Sequence, residues 1–367
     1  LYFNSITYNP TFNATDNWAA NSGAVVGRRP ASMVMASPRV GFRWNLNDQH
    51  TSLLRGGVGI FNGRAPFVWL ENAWANTGME MKGLNIRTNG PVFSADGSKT
   101  PDQIRAKYGS KGGVNPDIVT VDHKFRYPQT FRTNLAWEQQ LPFGVKMTLE
   151  ALYSRALNAV WFSNVALSNN GKIYAVPGVE ASATTYYNSN QNDTYTLNGT
   201  TGKYYANSVI NLSNINQGHS YSFSAKFEKS FDFGLDLMAS YTFGHSYSVN
   251  DGTSSVATSN WKYYYCVDPN KPVLSYSMFD MPHRLMVQAS YNSKLYGNNR
   301  WQTHITLTYN GNSGQRYSLT MNDNPSASFN GEYAKGNTLL YIPTKTELAA
   351  MNFVDNVDSK TKQVTMT

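Results

Sequence analysis

The feature that most constrains this chain is a strict two-residue hydrophobic period, sustained over stretches long enough to cross a bilayer. Side chains on a strand alternate between faces, so such a period sends apolar residues to one side and polar residues to the other. Val40, Phe42, Trp44 and Leu46 alternate with Arg39, Gly41, Arg43 and Asn45. Beyond Asn47-Asp48-Gln49-His50, Leu54, Val58 and Ile60 alternate with Arg55, Gly57 and Gly59. Phe131, Thr133, Leu135 and Trp137 then oppose Arg132, Asn134, Ala136 and Glu138. Past Leu141-Pro142-Phe143-Gly144, Val145, Met147, Leu149, Ala151 and Tyr153 oppose Lys146, Thr148 and Glu150. Two more pairs repeat the pattern, 221–227 with 235–243 across Asp232-Phe233-Gly234, and 285–291 with 301–309 around Gly297. The spacing predicts four hairpins near 38–61, 129–155, 219–249 and 282–310.

Alternation alone also fits a soluble two-sheet sandwich, which would bury one face. Three details favour a membrane wall. Trp44, Trp137, Tyr153, Tyr291, Trp301 and Tyr309 sit near strand ends, where an interfacial girdle belongs. The strands approach the roughly 9–11 residues that a tilted strand needs to cross a bilayer. The turns inside pairs are short, whereas the connections near 62–128, 164–217 and 250–281 far exceed the roughly 4–6 residues usual in compact domains. These features predict an all-β chain, a transmembrane antiparallel β-barrel with short periplasmic turns and long extracellular loops. At 15% the charged fraction is low against the soluble average of about 25%. A closed eight-stranded barrel is filled by its own side chains. The inward rows here carry Arg, Lys, Glu and Gly, so the chain reads as an arc of a wider barrel. The lack of a leader and of an aromatic-terminated last strand at 362–367 fits the same expectation of a single barrel segment over 1–367.

Several stretches resemble a known family. Ser37-Pro38-Arg39-Val40-Gly41-Phe42-Arg43-Trp44, then 54–61 and 63–70, resemble the barrel of TonB-dependent outer-membrane receptors, nearest to their Oar-like branch. Leu141-Pro142-Phe143-Gly144 looks like that family's periplasmic turns, and Phe279-Asp280-Met281-Pro282-His283-Arg284 like the motif that opens its strands. Residues 337–344 are similar to a late-loop motif. The resemblance covers about 33–345 and implies part of a barrel of about 22 strands. It also implies a Gram-negative outer membrane, and uptake powered through TonB with a plug filling the lumen. Neither the plug with its energy-coupling box nor the closing strands is recognisable in the chain.

On this reading the outward rows face lipid and lipopolysaccharide. Arg39, Arg43, Arg55, Gly57, Gly59, Arg132, Glu138 and Glu150 face the lumen or the plug. Their mixed signs read as a strand-to-strand ladder ahead of a lining for an anionic substrate. The inward glycines let the strand bend or let another backbone lie close. Ligand capture belongs to the long loops. There Trp261, Tyr263, Tyr264 and Tyr265, with Tyr186 and Tyr187, are aromatic candidates for an unidentified extracellular ligand, and packing between loops is the plainer alternative. Helices are expected over about 66–75 with Phe67, Leu70 and Trp74 on one face, after Thr100-Pro101-Asp102-Gln103, and after Thr344.

Other classes lack support. No HExxH, nucleophile elbow or complete calcium loop occurs, so neither an enzyme nor a cofactor is expected. Asp355, Asp358 and Asn322-Asp323-Asn324 read as solvated loop residues. The net charge of +8 is scattered, which disfavours nucleic acid. The single Cys266 excludes an intrachain disulfide. The functional expectation is uptake of an unidentified substrate across the outer membrane. The alternatives are a surface-binding or assembly barrel without energised transport, and a soluble carbohydrate-binding module.

Overall fold

A computed structural model describes residues 30–75, 96, 118–165, 209–294, 301–320 and 338–350. It describes the backbone alone for Thr11–Asn13, Leu167–Val176, Val179–Ser189, Thr194–Leu197, Thr200–Lys203, Asn356–Val357 and Val364–Thr365. The alternating stretches form strands β1 (Arg39–Asn45), β2 (Ser52–Asn62), β4 (Gln129–Leu141) and β5 (Val145–Asn164). They continue through β7 (His219–Ser230), β8 (Leu235–Ser248), β10 (His283–Asn292) and β11 (His304–Asn312). The remaining elements belong to the long connections: α1 (Phe67–Ala75), β3 (Ile118–Val121), β6 (Val209–Ile215), α2 (Ala257–Lys262), β9 (Ser275–Tyr276) and α3 (Lys345–Ala350). One sheet runs β11-β10-β8-β7-β5-β4-β2-β1, every neighbour antiparallel.

The register carries single faces across this sheet. Phe42 pairs with Gly56, which pairs with Leu135, and the row continues through Ala151 and Phe223 to Phe243. Phe42, Leu135, Phe223 and Leu237 are 39–55% exposed, so no second sheet covers them. An uncovered greasy face on a fully paired strand is stable only against acyl chains. Counted upward from the last paired residues at each turn, ten residues of tilted strand rise about 23 Å, close to the apolar band of an outer-membrane barrel. Trp44 and Tyr291 stand one residue above their turns. Tyr153, Tyr221, His245 and His283 stand eight or nine above. Aromatic and imidazole rings thus stand at both edges of the apolar zone, as an interfacial girdle does, while Trp137, Tyr241 and Tyr309, two of them expected in that girdle, stand four or five residues above their turns, inside the zone.

Turn chemistry fixes the periplasmic ends. Asn47 caps its turn by accepting the Thr51 and Ser52 amides at 3.0 and 3.2 Å. Gly234 holds φ 98° while Asn292 of the next hairpin donates to its carbonyl at 2.8 Å. A Cβ there would lie 2.1 Å from the Asn292 carbonyl oxygen, so only glycine serves. The glycines of β2 leave room for neighbouring backbone: a Cβ on Gly56, Gly57 or Gly59 would meet the carbonyl oxygen of Asn134, Val40 or Pro38 at 2.8, 3.2 and 3.1 Å. The ring of Phe42 covers Gly56, and the stem of Arg39 crosses Gly59, where a Cβ would meet Arg39 Cγ at 2.9 Å.

A second core sits above the wall. Strand β5 overshoots the membrane, and its far end pairs with β6, which pairs in parallel with β3. Trp69, Leu70, Val119, Phe162, Leu212 and Trp261 are buried together there. Helix α1 forms where expected but turns Trp69, Leu70 and Ala73 inward, leaving Phe67 66% exposed. The reason is a hydrogen bond from the Trp69 indole to the Ser254 carbonyl at 2.7 Å and its edge-on contact with Phe162 at 5.2 Å. Helix α3 opens with a full capping box: the Thr344 amide donates to Glu347 at 2.7 Å, and the Glu347 amide donates back to Thr344 Oγ1 at 3.3 Å. The expected helix after Thr100 lies outside the described residues, as do Asp355, Asp358 and Asn322-Asp323-Asn324.

Candidate ligand-binding surfaces

The lumenal face is built by the residues that alternate with the lipid-facing rows. Arg55 donates from Nε to Glu138 at 2.9 Å and lies 3.8 Å from Glu150. Lys146 reaches the other Glu138 oxygen at 3.1 Å, and Lys226 meets Glu228 at 2.9 Å. The pairs of Arg55 and Lys146 stitch β2, β4 and β5 together, while the Lys226–Glu228 pair lies within β7. Each is partly exposed, worth about 0.2–1 kcal/mol, so they set orientation more than stability. Arg39 and Arg132 instead flank the Phe61 ring, their guanidinium carbons 4.2 and 5.7 Å from its centroid. Arg43 has no ion pair among the described residues. Gly57 lies against the Val40 carbonyl and the Asn134 side chain.

The second surface is a cavity of about 530 Å3 among the loops beyond β8 and β11. Asp251 organises its rim, accepting from Ser248 Oγ at 2.6 Å, Ser277 Oγ at 2.7 Å and the Met278 amide at 2.9 Å. Asn260 exchanges side-chain hydrogen bonds with the Ser254 amide and carbonyl, both at 2.8 Å. Tyr263 and Tyr265 open onto the cavity at 63% and 54% exposure, joined by Tyr276, Arg316 and Tyr317. Tyr264 turns inward against Trp161 at 6.1 Å, and burial, with Cys266 and Asp251 nearby, pushes its hydroxyl above the usual tyrosine range. Trp261 packs in the loop core and offers a ligand no face, which corrects its place among the candidates. Tyr186 and Tyr187 fall on the strand Val179–Ser189, whose side chains lie outside the described residues.

Asp280 joins the two surfaces. Residues 277–282 leave the ladder between β9 and β10, and the Asp280 carboxylate accepts the Ser246 amide at 2.8 Å in place of a strand carbonyl. Arg316 donates two bonds to it at 2.7 Å while lying 4.1 Å over the Tyr276 ring, and His245 stands 3.3 Å away. Burial raises the carboxyl, but the Ser246 amide, Arg316 and His245 outweigh it and hold Asp280 below the ordinary carboxylate range. Sequence reasoning met Asp280 only as part of a motif, and nothing in the sequence points to Asp251 or Arg316. Among the described residues no group of three His, Cys, Asp or Glu side chains is placed to hold a metal.

The outer membrane beta barrel domain model matches residues 6–356, nearly the whole chain. The chain belongs to this outer-membrane β-barrel family. It is therefore a wall of the Gram-negative outer membrane, and its uncovered face meets lipid. No curated protein matches it. Among solved structures it is similar to the outer membrane transporter YddB from Escherichia coli, at 12% identity and a TM-score of 0.36, over 70% of this chain and 26% of that one. It is also similar to the siderophore receptor PirA from Acinetobacter baumannii, at 11% identity and a TM-score of 0.31, over 75% of this chain and 33% of that one. The chain thus spans about a quarter to a third of the length of these proteins.

Proposed function

We propose that this barrel wall belongs to a TonB-dependent transporter of the Oar-like branch, taking an unidentified substrate from outside the cell to the periplasm. The observation that carries this reading is the polarity of the two faces. The outer face is greasy, while the inner face is polar and ion-paired, and the Asp280–Arg316 pair links it to a cavity built by the extracellular loops. A barrel serving only as an anchor has no need for a wet, charged bore. In this reading the loop cavity captures the ligand through Tyr263 and Tyr265. The ladder of Arg55, Glu138, Glu150 and Lys146 faces a lumen-filling plug, and TonB acts on that plug. The wall itself carries out no catalysis.

The test is energised uptake. Cells expressing the complete protein accumulate its ligand, and collapse of the proton gradient or loss of TonB stops accumulation while surface binding continues. Surface binding that never leads to accumulation would favour a receptor or adhesin without transport.

A further inference from the structure

The lumenal charges look mixed in sequence, but the register separates them by height. Near the turns cations and carboxylates alternate. Arg43 and Arg55 stand two residues above the Asn45–Leu53 pair, and Lys146 and Glu138 stand one and three above the Leu141–Val145 pair. Glu150 is five above Val145, and Glu228 and Lys226 are two and four above Ser230. Higher on these strands no lumenal carboxylate follows among the described residues. Arg39 lies six residues above Asn45, Arg284 eight above Asn292 and Arg132 nine above Leu141. None of the three has an ion pair among the described residues. Asp280, in the connection above β8, is already held by Arg316.

Geometry concentrates that charge. Because residue 59 is glycine, Arg39 crosses β2 toward Arg132, and both guanidinium groups close on one Phe61 ring, no more than about 10 Å apart. Beside Arg132 a lumenal hollow of about 410 Å3 is lined by Ser154, Ser220, Ser222, Thr242 and Ser246 together with apolar Leu152, Phe279 and Met281, with Asp280 at its edge. A guanidinium fork beside a rank of hydroxyls is the donor set for a phosphate or carboxylate oxoanion. Two cations held together without a counter-ion are repelled until an anion arrives.

We propose that the extracellular half of this lumen is a binding station for a soluble polyanion bearing phosphate or carboxylate groups, gripped by Arg132 and Arg39. This rests on the reading of the wall as a transport channel and names the charge class of its cargo. Below, Arg55, Lys146 and Lys226 are paired with carboxylates and give no such grip, so the anion is held at the top of the bore and meets a surface of mixed charge beneath.

The experiment is equilibrium titration of the complete protein in detergent with inorganic pyrophosphate and citrate, with raffinose as the neutral control. Wild type binds both anions, and binding weakens as salt rises. Arg132→Gln and Arg39→Gln each weaken pyrophosphate about tenfold, the loss of one charge-assisted hydrogen bond. Arg132→Lys loses less, and Lys146→Gln leaves binding unchanged. A folded wild type that ignores both anions overturns the proposal, because the arginines are then satisfied by a fixed acid of the barrel's own filling. Equal binding by wild type and Arg132→Gln overturns it too. Anion binding that persists where energised uptake fails removes the transport reading and leaves the station standing.

Discussion

Placing an arginine one residue to either side of the wall separates lipid from lumen. Ala225 and Ser224 are consecutive on β7, five and six residues above the turn at Ser230, hence near the middle of the apolar band. Ala225 lies on the face of Phe223 and Phe227. Ser224 lies on the face of Lys226 and pairs in register with Glu150. Both are small, so exchange for arginine removes little packing and mainly adds a charge. On the lipid face a midplane arginine costs about 2–4 kcal/mol, a thirty- to thousand-fold loss in the folding equilibrium. On the lumenal face the new guanidinium gains a carboxylate neighbour. The loss is then only the Ser224–Thr242 hydroxyl bond at 2.9 Å, about 1 kcal/mol. Thr133→Arg, outward but eight residues above its turn, falls near the interface and costs about 0–1 kcal/mol. The assay is reversible denaturant unfolding of the complete protein in lipid vesicles, followed by tryptophan fluorescence. If Ser224→Arg costs as much as Ala225→Arg, or Thr133→Arg as much as either, the sorting of faces or the depth scale is wrong.

Trp261→Ala empties the loop core at a cost of about 3–5 kcal/mol. Proteolysis should then cut the extracellular connections while the strands stay protected, and equal loss of both would show that wall and loops fold as one. Gly234→Ala combines a left-handed φ with a Cβ driven into the Asn292 carbonyl, so the yield of folded barrel in vesicles should drop sharply, whereas Gly314→Ala, in open space, should not lower it. Asp280→Asn should free residues 277–281, seen as faster amide exchange at Ser246, whose proton Asp280 accepts. Because the folded carboxyl titrates below its unfolded value of about 3.9, its anchoring is complete above that pH and fades as pH falls through the lowered folded value. Wild-type protection of the Ser246 amide, its exchange rate relative to the intrinsic rate at each pH, should therefore stay flat from neutral pH down to about pH 4 and fall only below it.

The wall was legible because a membrane strand writes its surroundings into consecutive residues. Phe42 next to Arg43, or Leu149 next to Glu150, needs no partner to be read. The Thr344–Glu347 capping box was legible for the same local reason. The loop core was not. Trp261 reads as an exposed aromatic beside Tyr263 and Tyr265, and only the overshoot of β5 and the parallel pairing of β3 with β6 bring Phe162 and Leu212 against it. Helix α1 shows the same limit, since the choice of Trp69 over Phe67 is made by Ser254, far along the chain. The segregation of lumenal charge was hidden by arithmetic. Whether Arg132 lies above or below Glu150 depends on how far each stands from a turn, and neighbouring turns are offset by the shear of the sheet.

The chain follows two opposite solvation rules, which meet at the girdle. Below the girdle, apolar side chains point out of the wall and polar ones point in. Above it, Trp69, Phe162 and Trp261 are wrapped inward and polar groups face water. A strand that passes through both regimes must change rules without breaking its ladder. Strand β5 does so near Tyr153 and Arg155, and β8 near His245 and Tyr247. Side chains there have an apolar body and a polar tip, which suits them to either solvent. The ring contacts are continuous across strands: His219 stacks on Tyr247 at 4.7 Å, Tyr247 on Tyr276 at 4.7 Å, and Tyr241 bonds His283 at 2.7 Å. This belt fixes where the hydrocarbon ends, and so sets the height at which Arg132 and the tyrosine-lined cavity meet what arrives from outside.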